Sequence, residues 1–180
     1  MFQKRSCKER KAFPDVRAVP YTAEEATAKL DELDQADAII FGCPTYMGSM
    51  SAGVKTFVET AARSGSPSLE GQGGGSLYQF LLFSGDKLNT LVGLVINAMQ
   101  HGMIYVGLGM MPSANPPEGM QSIAGPGPGA QNRVGSFIGP MSASFQVHPP
   151  DAPVPGDLKT ARLYGARVAA ITTRPFKGRG

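Results

Sequence analysis

An α/β fold with a doubly wound parallel sheet is the class that the sequence predicts, on three observations. Short apolar runs of strand length alternate along the chain with segments of helical periodicity. The run at 36–42 is short, apolar and bounded by turn residues, as expected of a strand that is buried in a parallel sheet. Loops with glycine and polar residues follow two of the runs directly, at the sheet edge where open α/β proteins bind their ligands.

The chain begins with its weakest predicted elements. Residues 15–20 are expected to form a weak strand or an extended lead-in. Thr22 and Glu25 then give a capping-box pattern, with a hydroxyl and a carboxylate three residues apart. This pair predicts a helix that begins here and continues through Leu30 and Leu33.

The strand at 36–42 leads through a short loop into the next helix. That helix is predicted to run from Ser51 to about residue 63, because its apolar side chains recur at helical spacing. Its predicted inward face comprises Val54, Phe57, Val58 and Ala61. Residues 64–76 are rich in glycine and serine and are expected to form turns.

The second half of the chain repeats the alternation. Residues 77–84 predict another buried strand, 88–100 a helix and 103–108 a further strand. The buried face of this helix is expected to comprise Leu88, Leu91, Val92, Val95 and Met99. A closing helix is predicted at 157–171, with Asp157 as its N-cap.

Length and composition fit a single globular domain. The chain has 180 residues, of which 42% are hydrophobic and 17% are charged, and the domain is expected to span 15–174. A basic segment at 1–14, expected to be disordered, precedes it, and a basic tail at 175–180 follows it. Within the domain, 111–155 is a long excursion rich in glycine and proline, and loops of this length are usually functional or loosely ordered.

Several classes of protein are disfavoured. No apolar run approaches the roughly 20 residues of a membrane helix, so we expect no integral membrane association. Much of the net charge of +3 lies near the termini, where basic clusters are more typical of solvated tails than of nucleic-acid sites. Cys7, Cys43 and two scattered histidines make neither a disulfide framework nor a metal site, and a cytoplasmic location is expected.

The loop at 44–51 is the most informative stretch, because it joins a predicted buried strand to an amphipathic helix. Pro44 restricts the backbone, and Gly48 allows a ligand to approach it closely. Tyr46 and Met47 can lie against a planar group. The loop therefore suits the edge of a pocket for a flat heterocycle, and a plain connection between strand and helix is the alternative.

Three segments carry a resemblance to a known family, namely ADAIIFGCPTYMGSMSAGVKTFVE, GDKLNTL and MQHGMIYVGLG. In this order they resemble the flavodoxin-like NAD(P)H:quinone oxidoreductases of the tryptophan-repressor-binding-protein type (WrbA-type). The resemblance implies a flavodoxin-like doubly wound sheet with FMN at its carboxyl edge. It also implies NADH or NADPH as hydride donor, a quinone as acceptor, and assembly into dimers or tetramers.

The same resemblance implies which residues form the site. The first loop would contact the flavin with Pro44, Thr45, Tyr46, Met47, Gly48 and Ser49. The second loop would contribute Ser84, Gly85, Asp86, Lys87 and Asn89, with a capped helix start as the alternative for this segment. His101 would face the cavity and hydrogen-bond a quinone oxygen or the flavin, and a helix cap favoured by the dipole is the equal alternative. Cys43 is expected to be a small buried thiol rather than a nucleophile.

The N-terminal residues depart from the family's pattern. Residues 1–14 hold neither an apolar run nor a glycine, so the first strand and its phosphate-binding loop are expected to be lacking. We therefore expect an N-terminally truncated or mis-started chain. The alternative function is then a non-catalytic paralogue or gene-model fragment with weak or no FMN binding, which acts as a binding or oligomerisation partner.

Overall fold

Helices and strands alternate along the chain, as predicted for an α/β protein. The computed structural model describes residues 16–63, 73–80, 85–113, 127–144 and 147–174, with the backbone alone described for Arg63 and 73–80. The helices are α1 (Ala23–Thr27), α2 (Leu30–Leu33), α3 (Ala52–Arg63), α4 (Lys87–Gln100) and α5 (Pro155–Thr172). The strands are β1 (Ala38–Tyr46), β2 (Ser49–Met50), β3 (Gly73–Phe80), β4 (Ile104–Tyr105) and β5 (Met141–Ala143).

Among the described residues, the sheet is parallel except for one short hairpin. β3 is central: it pairs with β1 from Ala38↔Gly73 to Pro44↔Gln79. On its other side β3 pairs with β4 near its beginning and with β5 near its end, both in parallel. β2 folds back antiparallel on the end of β1. Since parallel strands end at the same edge, the last residues of β1, β3 and β5 share one edge of the sheet.

Helices cover both faces of the sheet. Ile39, Phe41 and Cys43 of β1 pack into a cluster with residues of α3 and α4. Ala38 points to the opposite face, where it packs against a second cluster that includes Tyr164 of α5. This two-sided covering is the doubly wound arrangement that the sequence predicts.

The predicted inward face of α3 is confirmed. Phe57, Val58 and Ala61 are buried, and Val54 packs against the same cluster. The first helix is interrupted, which was not predicted. Its capping box is present, but the helix divides into α1 and α2 at residues 28–29. The hydroxyl of Thr27 donates to the carbonyl of Ala23, a bond that tends to bend or weaken a helix.

Two strand boundaries differ from the prediction. β1 continues to Tyr46, four residues past its predicted end, because β3 and β2 both pair with its last residues. β3 begins within the glycine-rich stretch, so the prediction of turns is wrong for 73–76, while 64–72 lies outside the described residues. Pairing with the neighbouring strand thus overrides the low strand propensity of these glycines. At 16–20 there is neither helix nor strand, in keeping with an extended lead-in.

The predicted inward face of α4 is largely wrong. Leu91 is buried and Val95 half-buried, but Leu88, Val92 and Met99 are exposed. The buried residues of α4 are Lys87, Thr90, Leu91, Leu94, Asn97 and Ala98. Apolar residues occur around most of this helix, and the polar Thr90 is buried because its hydroxyl bonds that of Thr45. The distribution of polar and apolar residues therefore does not distinguish the exposed face of α4 from the buried one. We call the exposed set Leu88, Val92, Ile96 and Met99 the α4 apolar stripe.

Within the excursion, the turn at 131–136 is packed rather than loose. The side chain of Asn132 bonds both backbone groups of Ser136 and the carbonyl of Met110. β5 also lies here, although no periodicity predicts it. Asp157 is not an N-cap, because Pro155 starts α5 two residues earlier and Asp157 lies inside the first turn.

Candidate functional site

The loop after β1 is a tight hairpin, which we call the β1–β2 hairpin (residues 44–50). Tyr46 pairs with Ser49, and Met47 and Gly48 form the turn with φ of 49° and 74°. Positive φ at both central positions is the mark of a type I′ turn, the kind that fits the twist of two short antiparallel strands. Glycine adopts this conformation readily, whereas methionine rarely does.

The tip of the hairpin is open. Tyr46 is 60% exposed and Met47 is fully exposed. A Cβ placed on Gly48 would have its nearest neighbour, Cβ of Asp86, at 4.0 Å. An aromatic ring, a thioether and bare backbone are therefore accessible at the carboxyl edge of the sheet. The predicted contact of these residues with a planar ligand remains a prediction.

The structure brings the second predicted loop to the first. Nδ2 of Asn89 donates to the carbonyl oxygen of Gly48 at 2.7 Å. The hydroxyls of Thr45 and Thr90 share a buried hydrogen bond of 2.8 Å. Gly85 and Asp86 are exposed beside this contact, and Ser84 lies outside the described residues. The start of α4 and the β1–β2 hairpin thus form one surface.

Two predicted ligand residues point their side chains into the protein. Thr45 is fully buried on Thr90. Lys87 is also fully buried, and its ammonium donates to the carbonyl of Ser142 at 3.0 Å. Burial lowers the pKa of Lys87 to about 8, an effect that Asp157 opposes and Arg133 reinforces. Any ligand contact of Thr45 or Lys87 would therefore involve the backbone.

The buried cluster around Lys87 is a feature that sequence reasoning missed. Arg133 and Asp157 form a buried ion pair, with Nε and Oδ1 2.8 Å apart. Asp157 also accepts a hydrogen bond from the backbone N–H of Ala143 at 3.0 Å. The cluster joins α4, β5, α5 and the turn at 131–134. No spacing in the sequence links these residues, since the ion pair spans 24 positions of an aperiodic region.

His101 lies at the C-terminal end of α4, whereas the turn of the hairpin contacts the N-terminal end of this helix. It is the C-cap of α4, and its backbone N–H bonds the carbonyls of Asn97 and Ala98. Asn89, which contacts the Gly48 turn, lies 12 residues before His101, or about 18 Å at 1.5 Å per residue. A single chain therefore does not bring His101 to the turn, and the helix-cap alternative describes its position.

Cys43 is a buried thiol, as predicted. It accepts a hydrogen bond from the backbone N–H of Ser51, with 3.2 Å between nitrogen and sulfur. Within the described ranges, no cluster of three or more His, Cys, Asp or Glu residues could hold a metal ion. Nor does that part of the chain contain a helix that is long and apolar enough to cross a membrane.

The chain is similar in sequence to proteins of known families. A family model described as NADPH-dependent FMN reductase matches residues 6–112. Flavodoxin FldP from Pseudomonas aeruginosa is 34% identical over 145 residues, which cover 80% of this chain and 74% of that protein. An NAD(P)H dehydrogenase (quinone) from Archaeoglobus fulgidus is 31% identical over 150 residues, 82% of this chain. The chain spans 65% of the length of that dehydrogenase.

A solved structure supports the same assignment of fold. The crystal structure of a WrbA-like flavodoxin from Agrobacterium tumefaciens matches with a TM-score of 0.57 and 35% sequence identity. The match covers 81% of this chain and 71% of that one. The predicted flavodoxin-like class of the α/β fold is confirmed.

Proposed function

Because the chain belongs to the NADPH-dependent FMN reductase family, we propose that it is a flavin-dependent NAD(P)H:quinone oxidoreductase. FMN is its cofactor, NADH or NADPH its hydride donor, and a quinone its acceptor. The observation that carries this proposal is the β1–β2 hairpin, whose open turn lies at the carboxyl edge of the parallel sheet.

The hairpin residues fit a flat, largely apolar ring system. Residues 44–51 carry no charged side chain, and the space beside Gly48 is open. Tyr46, Met47, Gly48 and Ser49 would hold one edge of the flavin, with Pro44 and Thr45 acting through the strand backbone. The neighbouring loop would contribute flavin contacts from Ser84, Gly85, Asp86 and the backbone of Lys87.

FMN, when bound, supplies two-electron transfer between a nicotinamide and a quinone. The chain's own residues bind, orient and shield the reacting groups. Tyr46 and Met47 offer apolar surface that excludes water from one side of the site. No side chain of the hairpin has to gain or lose a proton, so the position of the backbone matters most.

We also propose that the protein acts as a dimer or tetramer in which two copies meet through the α4 apolar stripe. Residues 88–100 contain no charged side chain, so copies of a chain with net charge +3 can meet there without opposing like charges. The stripe runs from the side of the hairpin towards His101. An antiparallel α4 pair about a two-fold axis would therefore bring His101 of the partner subunit towards the hairpin, where it can donate a hydrogen bond to the quinone.

The functional test combines cofactor binding with turnover. The wild-type protein is titrated with FMN by flavin fluorescence, and oxidation of NADH and NADPH is followed with a benzoquinone acceptor. Gly48→Val should remove turnover, because a β-branched residue at φ of 74° shifts the turn. Gly135→Val is the matched control, since Gly135 has φ of 73° with open space around it.

Failure to bind FMN in the wild type would contradict the proposed activity. Equal loss of turnover in both glycine variants would contradict the assignment of the hairpin. Self-association has a separate readout, because Ile96→Glu places a charge on the stripe. That variant should sediment at a lower mass than the wild type, and an unchanged mass would contradict the proposed interface.

A further inference from the structure

The β1–β2 hairpin has little internal support. β2 contains two residues, and the hairpin has two paired positions, Thr45↔Met50 and Tyr46↔Ser49. Hairpins of this size are not stable by themselves in water. Met47 has a positive φ, which residues other than glycine rarely adopt. Its side chain is fully exposed. The geometry of the turn must therefore be held by contacts from outside the hairpin.

Helix α4 supplies these contacts from its first two turns. Asn89 donates to the carbonyl of Gly48, and Thr90 bonds Thr45. One turn further, Gly93 leaves room for Met50: a Cβ on Gly93 would lie 2.9 Å from the terminal methyl carbon of Met50. Positions 89, 90 and 93 lie on one side of a helix. This side of α4 follows the hairpin from β1 through the turn to β2.

Of these contacts, the one from Asn89 acts on the turn itself. Its partner is the carbonyl of Gly48, one of the residues proposed to hold the edge of the flavin. Asn89 is exposed, so burial of its side chain in the core does not explain its presence. One of its two amide N–H groups is engaged with the carbonyl of Gly48. This distinguishes its role from the direct cofactor contact that the sequence predicts.

We propose that Asn89 is a positioning residue, which fixes the Gly48 turn and thereby sets the affinity of the site for FMN. Thr90 supports the same hairpin from inside, through Thr45. The link to FMN rests on the proposed function, whereas the link between α4 and the hairpin does not. The two parts can be tested separately in the 180-residue protein.

The first measurement is amide hydrogen exchange of the peptides that cover 43–51, without added flavin. Asn89→Asp keeps the size of the side chain but replaces the N–H donor with an acceptor, so the carboxylate repels the Gly48 carbonyl. A negative charge in the first turn favours the helix, so α4 itself is not weakened. We expect exchange in the hairpin to rise by about threefold or more. Thr90→Val should have a similar effect. Gln35→Glu makes the same type of change at an exposed position outside α4 and the hairpin, and should have none.

The second measurement is the dissociation constant for FMN, with the rate of quinone reduction at saturating cofactor. We expect Asn89→Asp to weaken FMN binding by about threefold to tenfold, the loss associated with one hydrogen bond. Asn89→Gln retains an amide donor and should recover part of this loss.

The outcomes separate the two proposals. Unchanged hairpin exchange in Asn89→Asp would overturn the positioning role of Asn89. Unchanged exchange in Thr90→Val as well would overturn the coupling of α4 to the hairpin, whether or not FMN binds. Increased exchange with unchanged FMN affinity would overturn the role of Asn89 in the cofactor site. If the wild type binds no FMN, the proposed function fails, while the exchange measurements still decide the coupling.

Discussion

In the part of the chain that the structure describes, two turns hold a non-glycine residue in the left-handed backbone region, and they are supported in opposite ways. Met47 has φ of 49° and Asn132 has φ of 45°. Asn132 is buried, and its side chain forms three hydrogen bonds of 2.8–3.0 Å with Ser136 and Met110. Met47 is fully exposed, and the contacts that hold its turn come from α4.

The difference separates a structural turn from a candidate functional one. At Asn132 the residue in the unusual conformation stabilises that conformation with its own side chain. At Met47 the same conformation is held from a neighbouring helix, which leaves the turn and its side chain open at the sheet edge. Backbone strain without local compensation is concentrated at functional sites. The first turn should therefore respond to substitution in stability, and the second mainly in ligand binding.

The largest effect is expected at the buried ion pair beside the structural turn. Asp157→Asn removes the charge that Arg133 and the Ala143 N–H face. We expect a loss of about 3–5 kcal/mol in the free energy of unfolding, because Arg133 is left buried without a counter-charge. Urea unfolding followed by circular dichroism measures it. The exposed Asp151→Asn is the control, and equal losses in the two variants would contradict the importance of the pair.

A somewhat smaller loss is expected at Asn132 itself. Asn132→Ala removes three side-chain hydrogen bonds and leaves alanine at φ of 45°. We expect about 2–4 kcal/mol of destabilisation in urea unfolding. Asn132→Gly also loses the three hydrogen bonds, but glycine adopts the positive φ without strain. This variant should therefore be about 1 kcal/mol more stable than the alanine variant. If the alanine variant were as stable as the wild type, the two turns would not differ in the way described.

Lys87 connects the two regions and should make stability depend on pH. It starts α4 beside the hairpin, and its ammonium reaches Ser142 in the buried cluster. The pKa of Lys87 is lowered to about 8 from an ordinary 10.5. Between pH 8 and 10.5, Lys87 is protonated in the unfolded chain but not in the folded chain. The contribution of Lys87 to the free energy of unfolding therefore increases with pH over this range, by at most about 1.4 kcal/mol per pH unit.

The measurement compares wild type with Lys87→Met in urea at pH 7.5, 8.5 and 9.5. The difference in unfolding free energy between them should shift in favour of the wild type as the pH rises. A constant difference over this range would show that Lys87 does not titrate in the folded protein below pH 9.5.

The smallest expected effect is a stabilisation, by substitution of Met47. Met47→Asn introduces a residue that accepts positive φ, giving the Asn-Gly pair favoured in type I′ turns. We expect the free energy of unfolding to increase by roughly 0.5–1 kcal/mol, and turnover with a quinone to fall. A stabilised variant with full turnover would argue against contact between Met47 and the flavin or the quinone.

Local patterns predicted part of this molecule well. The inward face of α3 follows from helical spacing, and the capping box at Thr22 follows from two residues. The exposed side of α4 could not be predicted, because its apolar residues occupy most of the helix surface. The hairpin was predicted as a loop, since Met-Gly is not a typical type I′ sequence and β2 has only two residues.

The candidate site was predictable to the same extent. Residues 44–49 and 85–89 do meet at one edge of the sheet, as consecutive strand–loop units of a parallel sheet should. Periodicity could not show that Lys87 points inward, because its partners Ser142 and Asp157 lie more than 50 positions away. Nor could it show the distance of His101 from the hairpin, which depends on the direction of α4.

The exposure of Met47 has a chemical consequence. A thioether in full contact with solvent is open to peroxide, and oxidation adds one oxygen to its sulfur to give a polar, chiral sulfoxide. At this position the product would replace apolar surface at the hairpin tip without disturbing any buried contact of the fold. The protein would remain folded with a damaged site, and a methionine sulfoxide reductase could reach and repair it.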